Sequence, residues 1–538
     1  MELNAGNLKL IYEAGTIRTI TLNNTEVIRM IYPAVRDQNW GTVPQEIVSE
    51  NILKKDDHFS INLECRYREG EIDFHSYYTI IGSQNSEVTF EMKGESRSTF
   101  LKNRIGINVL LPVEEFQGKP YSVHSEKEIK ETLFPDMISP EQPAVDIRAL
   151  TWNMEGLGRM HLEFEGDVFE MEDQRNWTDA SYKIYCTPLA IPFPVKIEKG
   201  TKVNQKITFR AVIQKTAVIE NNTKESLTID FTKEFNLPKI GIAHSSLNEE
   251  LTKNETGILK QVGFDHYKAD VKLFDENWRE QLSLIIKEAD KLGLLLDLNL
   301  HTGSEYTYET DQFIAFAKNH TIPLSSLSLF DGKTRKTSLV LINEIISKLR
   351  KHFGNSLKIG GGVDAYFAEL NRYRPPVDKL DFISYTICPQ VHAFDNQSLV
   401  ENIAGQRYTV ESAHKLFNHI PVHISAITLR QRFNVVATGP EEPVTPGRLP
   451  SQVDVRQPVL FTGAWTAGSL KTMAESGANQ VNYFETKGWR GIIQGDKPSP
   501  NPELFNSQSG EIFPVYHVFR EALSIKESRV FIRSAQLL

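Results

Sequence analysis

LPKIGIAHSS, residues 237–246, decides the fold. Upstream of it the chain reads almost entirely as strands; downstream it alternates between strand and helix. Pro238 marks the break, and Lys239–His244 is a short apolar run of strand type. Asn248–Val262 then reads as helix, Tyr267–Phe274 as strand, Trp278–Leu292 as helix and Leu294–His301 as strand. Thr310–Lys318 (helix), Leu324–Phe330 (strand), Thr337–His352 (helix) and Leu357–Gly361 (strand) follow. Phe382–Thr386, Val422–Ala426 and Gln480–Phe484 bring the strands to eight, with helices near Val410–Phe417 and Ser469–Glu475. Eight such repeats predict a (β/α)8 barrel of TIM type over residues 236–497. A doubly wound open sheet is the alternative, but no glycine-rich dinucleotide fingerprint follows the first strand.

Residues 1–235 predict an antiparallel β-sandwich. Ser60–Cys65, Ser86–Met92 and Val203–Arg210 alternate apolar and polar residues, and turn residues separate many short strands. Ser125–Thr132 is the one stretch there with a helical look. Past the barrel, residues 498–538 hold a Pro/Asn/Ser-rich loop, a closing helix Phe513–Leu523 and a strand Arg529–Arg533. That strand is expected to return to the β-domain.

The 538 residues carry a net charge of −9, which offers no electrostatic footprint for nucleic acid or an anionic membrane. Cys65, Cys186 and Cys388 are too sparse for a disulfide framework or a metal motif. No apolar run approaches a membrane span, and the first residues lack a signal-peptide pattern. A cytoplasmic protein is expected, and the sequence leaves room for a homo-oligomer.

In a barrel, chemistry gathers where strands end. Those positions offer His244; Lys272 and Asp275; Asn299 and His301; Asp331 and Lys333. After strand five come Gly360–Gly362, Asp364 and Tyr366; after strand six Gln390 and His392; after strand seven Thr428, Arg430 and Arg432. Strand eight delivers Glu485, Lys487, Trp489 and Arg490 in NYFETKGWRG (482–491). The glycine run suits either close approach of a ligand or a bend in the barrel. In the β-domain, Glu172–Lys183 packs Asp173, Arg175 and Trp177 into one loop. It either reaches substrate or forms a buried polar network.

One functional reading is a glycoside hydrolase with atypical carboxylates acting on plant-type glycans. A retaining glycosidase needs two carboxylates about 5 Å apart. In the large glycosidase clan of this layout, these are glutamates ending strands four and seven. Here strand four ends in Asp331-Gly332 and strand seven in Ala426-Ile427-Thr428, so both positions lack glutamate. No His-x-His pair or His-Glu-x-x-His helix marks a metal centre. A mixed set of His301, Asp364, His392 and Glu485 is the remaining arrangement that could bind a metal, and no cofactor is expected. A noncatalytic sugar-binding protein is a second reading.

Six blocks narrow the choice: EDQRNWTDASYKIY (172–185), GGGVDAYFAELNRYR (360–374), PQVHAFDNQSLVE (389–401), TLRQRFN (428–434), LPSQVDVRQ (449–457) and YFETKGWRG (483–491). Together they resemble the D-apionate lactonase family. The resemblance implies hydrolysis of a small sugar lactone, D-apionolactone, to D-apionate in bacterial apiose catabolism. It transfers no catalytic residues.

Lactone opening needs a base for water and donors for the tetrahedral oxyanion. The residues suggest His392 or Asp364 as base and Glu485 as partner acid. Tyr366, Arg432 and Arg490 are candidate donors, Trp489 and Trp177 candidate platforms for sugar carbons. His301, Asp173 and Arg175 complete the expected substrate contacts. No Gly-x-Ser-x-Gly elbow supports a nucleophilic serine.

Overall fold

The computed structural model describes residues 1–213, 227–433, 447–525 and 530–535. They form two compact units. Asn434 of one family-like block and Arg529 of the expected last strand lie outside the described residues.

The first unit, residues 1–174 and 180–213, holds two nine-stranded antiparallel sheets. One runs Glu2–Ala5, Leu8–Glu13, Thr16–Leu22, Thr25–Asp37, Phe100–Pro112, Ser181–Tyr185, Phe169–Asp173 and Ala144–Ile147. Val195–Ile197 adds to the strand Phe100–Pro112. The other runs Ile129–Leu133, Pro120–His124, Ala149–Met154, Gly158–Glu165, Lys202–Ile213, Glu87–Ser96, Ile72–Ser83, Phe59–Glu69 and Gln45–Lys54. Period-two patterning buries one face, as in Phe59, Ile61, Leu63, Cys65 and Tyr67. Gln205 ties the two sheets together: its Oε1 accepts from the Ile107 amide at 2.9 Å, and its amide nitrogen lies 2.9 Å from Cys186 Sγ. Gly106 sits at this junction, where an added Cβ would meet Cys186 Sγ at 2.3 Å.

The helical look of Ser125–Thr132 is not realised. The Ser125 hydroxyl accepts from the amides of Lys127 and Glu128 at 3.2 and 3.1 Å, making a tight turn. Ile129–Leu133 then pairs with Pro120–His124 as a hairpin.

The second unit is a closed parallel barrel. Its strands are β1 Lys239–Ala243, β2 His266–Lys272, β3 Leu296–Thr302, β4 Leu324–Asp331, β5 Lys358–Tyr366, β6 Ile383–Ile387, β7 Val422–Ile427 and β8 Gln480–Lys487. Each pairs with the next, and β8 pairs back to β1. Helices cover the outside. Trp278–Leu292 buries Trp278, Leu282, Ile285, Ala289 and Leu292 along one stripe and stops at Gly293, which holds φ 72°. The helix Lys253–Lys260 starts with a capping box between Thr252 and Glu255. The region expected as one helix from Thr337 begins later, as a wide turn Leu341–Ile345 continued by Ile346–Phe353. Two short helices, Phe367–Tyr373 and Asn396–Glu401, add to those read from sequence.

The glycine run of β5 has a packing cause. A Cβ on Gly360 would meet the Phe382 ring at 2.4 Å, and one on Gly361 would meet Thr337 Oγ1 at 2.3 Å.

The lower barrel interior is polar. Asp297, 1% exposed, accepts from Ser326 Oγ at 2.6 Å, Gln480 Nε2 at 2.9 Å and Asn482 Nδ2 at 3.0 Å. His266 Nε2 lies 2.7 Å from Asn482 Oδ1, and His423 stacks on Phe382 with ring centres 3.9 Å apart. Burial opposes ionisation of Asp297, but Lys268 and the neighbouring polar groups hold its carboxyl below the usual range.

The last strand, Val530–Ala535, pairs with Leu227–Phe235 in a separate two-stranded sheet and joins neither nine-stranded sheet. No helix among the described residues is long and apolar enough to cross a membrane.

Candidate active site

Inward-facing residues alternate along β2 and β3, so Lys268 and Asp270 share one face, as do Asn299 and His301. Strand β5 adds Asp364, and the segment after β7 adds Arg432. Their side chains meet in an ion cluster at the C-terminal end of the barrel, where a cavity of about 370 Å³ opens. Arg432 bridges two carboxylates, at 2.8 Å from Asp270 Oδ2 and in close contact with Asp364 Oδ1. Arg335 reaches the second Asp364 oxygen at 3.1 Å. Lys268 Nζ and Asn299 Nδ2 each donate to Asp270 Oδ1 at 2.8 Å. His301 Nε2 stands 3.7 Å from Asp364 and 4.0 Å from Asp270.

Charge follows from these pairings. Burial works against an ionised Asp270, yet Lys268 and Arg432 hold its carboxyl well below the usual carboxylate range. Burial would also weaken the Arg432 cation, but Asp364 and Asp270 push its guanidinium further towards the charged form. Lys268, Arg335 and Arg432 are three cations against the two carboxylates, so this set carries one excess positive charge.

The wall beside this floor comes from β8. Glu485 Oε2 accepts from the Ser246 amide at 2.8 Å and its hydroxyl at 2.9 Å, and Oε1 pairs with Arg490 at 2.7 Å. On another side Asp454 accepts from Gln390 and Arg456 at 2.6 and 2.8 Å. Burial would raise its pKa, but Arg456 and Gln390 bring it to about 2.

Asp364, Glu485, Arg432, Arg490 and His301, all anticipated from sequence, line this one cavity. Trp489 lines an adjoining groove of about 840 Å³, which shares Arg432 and Arg490 with the cavity; its Nε1 donates to Ser499 Oγ at 3.0 Å. His244, Lys272, Thr428 and Arg430 line the same cavity and Lys487 the groove, whereas Tyr366, His392, Trp177, Arg175 and Asp173 line neither space. Tyr366 is buried and donates to Gln431 Oε1 at 3.2 Å. His392 Nδ1 is 2.6 Å from Asp179 Oδ2, and Asp179 also accepts from Asn402 at 2.9 Å. Trp177 meets the His392 ring edge-on, 5.6 Å between centres, and Arg372 lies over its indole. Arg175 is fully buried with its guanidinium 5.2 Å from the Tyr408 ring centre. Residues 175–179 thus belong to a polar network of the barrel unit, whereas Asp173 belongs to the β-unit and accepts from the Ser139 amide at 3.0 Å.

The mixed metal set does not assemble. His301 and Asp364 are neighbours, His392 is held by Asp179, and no group of three metal-type ligands occurs among the described residues. Asp331 Oδ1 accepts from the amides of Lys333 and Thr334, so it caps the turn after β4. Sequence reading passed over Lys268, Asp270, Arg335 and Asp454. The signal for the first two was present, since period two along β2 turns both inward.

Comparison with known proteins gives matches in both units. Residues 1–214 match the family model for the D-apionate lactonase N-terminal domain, and residues 240–527 that for the D-apionate lactonase TIM barrel domain. A curated D-apionate lactonase from Brucella anthropi is 28% identical over 447 residues, covering 80% of this chain and 73% of that protein. Among solved structures, the endo-beta-1,4-mannanase from Thermotoga petrophila aligns at 11% identity. It covers 55% of this chain and 78% of its own, with a TM-score of 0.35. A family 51 alpha-L-arabinofuranosidase from Bifidobacterium longum aligns at 10% identity over 56% and 76%, with a TM-score of 0.37.

Proposed function

The chain belongs to the D-apionate lactonase family and is a lactone-hydrolysing enzyme, and from that premise we propose that it opens D-apionolactone to D-apionate in apiose catabolism. The observation that carries the site assignment is the cationic floor of the barrel cavity. Water attack on a lactone carbonyl creates an oxyanion, and opening leaves a carboxylate. A fixed excess of positive charge favours both. Arg432 and Arg335 are the proposed donors to that oxygen. Asp364, held between them, keeps both guanidiniums in place.

Glu485 and Arg490 form the proposed grip on the sugar hydroxyls and the ring oxygen. A polyhydroxylated five-carbon lactone needs many polar contacts, and this wall supplies both acceptors and donors. Trp489, in the adjoining groove, is available to substituents that project from the ring. The setting is proposed to be the bacterial cytoplasm.

The test is hydrolysis of a panel of aldonolactones, followed by acid release with a pH indicator. D-apionolactone is expected to be turned over fastest. Asp364→Asn and Glu485→Gln are each expected to lower kcat/KM at least about 100-fold with the fold intact. Hydrolysis of nitrophenyl glycosides with no lactone turnover would overturn the reading.

A further inference from the structure

Arg430 is a cation of the cavity that has no part in the proposed roles. It lies three residues past β7 and forms part of the cavity wall. Its backbone is pinned from two sides. Thr428 Oγ1 donates to the Arg430 carbonyl at 2.7 Å, and the preceding Leu429 carbonyl accepts from Gln390 Nε2 at 2.8 Å. The guanidinium rests over the Phe394 ring, 4.8 Å from its centre. Such a seat holds a planar cation without using its N–H donors.

The counter-charge beside it is Asp454, and that carboxylate is already engaged. Oδ1 accepts from the Arg456 amide at 2.8 Å and from Arg456 Nε at 2.9 Å. Oδ2 accepts from Gln390 Nε2 at 2.6 Å and from Arg456 Nη2 at 2.8 Å. Arg430 Nε stands 3.4 Å from Oδ2 and forms no hydrogen bond to it. Two guanidiniums therefore share one carboxylate, and Arg430 has the weaker hold on it. Its two terminal nitrogens make no hydrogen bond among the described residues. The arginines of the cavity floor differ, since Arg335 and Arg432 donate to Asp364 and Asp270.

A guanidinium edge with two parallel N–H groups matches the two oxygens of a carboxylate. A lactone is uncharged and offers that edge one carbonyl oxygen at most. The open-chain acid that replaces it offers two oxygens and a full charge. We propose that Arg430 binds the carboxylate of the hydroxy acid formed in the cavity, a role that takes its ligand from the lactonase reading. The ligand class is an aldonate, a carboxylate on a short polyhydroxylated chain. Arg432 and Arg335 serve the oxygen that becomes anionic during attack; Arg430 serves the product once the ring is open. Product inhibition by the acid is the direct consequence.

The experiment measures by calorimetry the binding of two probes to the wild type, Arg430→Gln and Arg430→Lys. One probe is D-apionate; the other is the polyol in which its carboxylate is reduced to a primary alcohol. Asp454 keeps Arg456 and Gln390 in both variants, so the wall is expected to stand, and circular dichroism checks it. The wild type is expected to bind the acid at least about 10-fold more tightly than the polyol. Arg430→Gln is expected to lose most of that preference, and inhibition of lactone hydrolysis by D-apionate to weaken by the same factor. Arg430→Lys keeps the charge without the fork and is expected to recover only part of the loss. If Arg430→Gln does not fold, Arg430→Lys decides alone. A wild type without the preference, a preference unchanged in Arg430→Gln or one fully kept in Arg430→Lys overturns the proposal and leaves the lactonase reading standing. A wild type that shows the preference, loses it in Arg430→Gln and yet hydrolyses no lactone keeps the carboxylate site and overturns the lactonase reading.

Discussion

Arg432 holds Asp270 with one nitrogen and Asp364 with another. A lysine brings one point charge and cannot span both carboxylates. Arg432→Lys is therefore expected to lower kcat/KM on the lactone at least about 10-fold with the net charge unchanged, measured by steady-state hydrolysis. At this scale the sequence was only partly readable. Asp364, Arg432 and Glu485 were recognisable because they sit where strands stop and loops start. Lys268 and Asp270 carry no such mark, since Lys272 and Asp275 occupy the strand end while the side chains one and two pleats deeper form the floor. His392 drew notice for its polar block, but its partner Asp179 is 213 residues away, and a pairing over that separation leaves no local trace.

Strand β5 shows what an element demands of its residues. Gly360 and Gly361 lie where Phe382 and Thr337 press against the strand, and Thr337 Oγ1 accepts from the Gly362 amide at 2.8 Å. Gly361→Ala places a methyl group within that contact. It is expected to lower barrel stability by about 1–3 kcal/mol, read as a shift in a denaturant midpoint. All eight strands could be read from apolar runs and turn residues, because parallel strands buried on both faces are nearly continuous in hydrophobicity. Their ends could not. Strand β5 runs on to Tyr366, past the glycines that suggested a stop, because neighbouring strands supply its pairing. Ser125–Thr132 failed for the converse reason: its local period was overridden by a hairpin partner.

Across the molecule, the change from antiparallel sheets to a parallel barrel was legible from the change of grammar near Pro238. The polar interior of the barrel was not, since a histidine or asparagine inside a strand-like run gives no sign of which residue faces it. That interior makes stability sensitive to acid. Burial brings the His423 imidazole down to about 4, whereas an unfolded histidine titrates near about 6.5. Between those values the unfolded chain binds a proton that the folded barrel refuses. The contribution is full above about pH 6.5 and is lost as pH falls towards 4. The thermal transition is expected to drop between pH 6.5 and 5, and His423→Gln to flatten that slope; an equal slope in the variant would refute the role of His423.

Asp297 carries a further consequence for the order in which the chain is made. Of the three side chains that donate to it, Ser326 emerges 29 residues later, but Gln480 and Asn482 follow only after 183 and 185. A ribosome-bound chain that has not yet delivered β8 holds a carboxylate whose burial is two-thirds unanswered. Closure of the barrel around that carboxylate thus waits for β8. Until then the cost of burying that carboxylate opposes closing the layer around it.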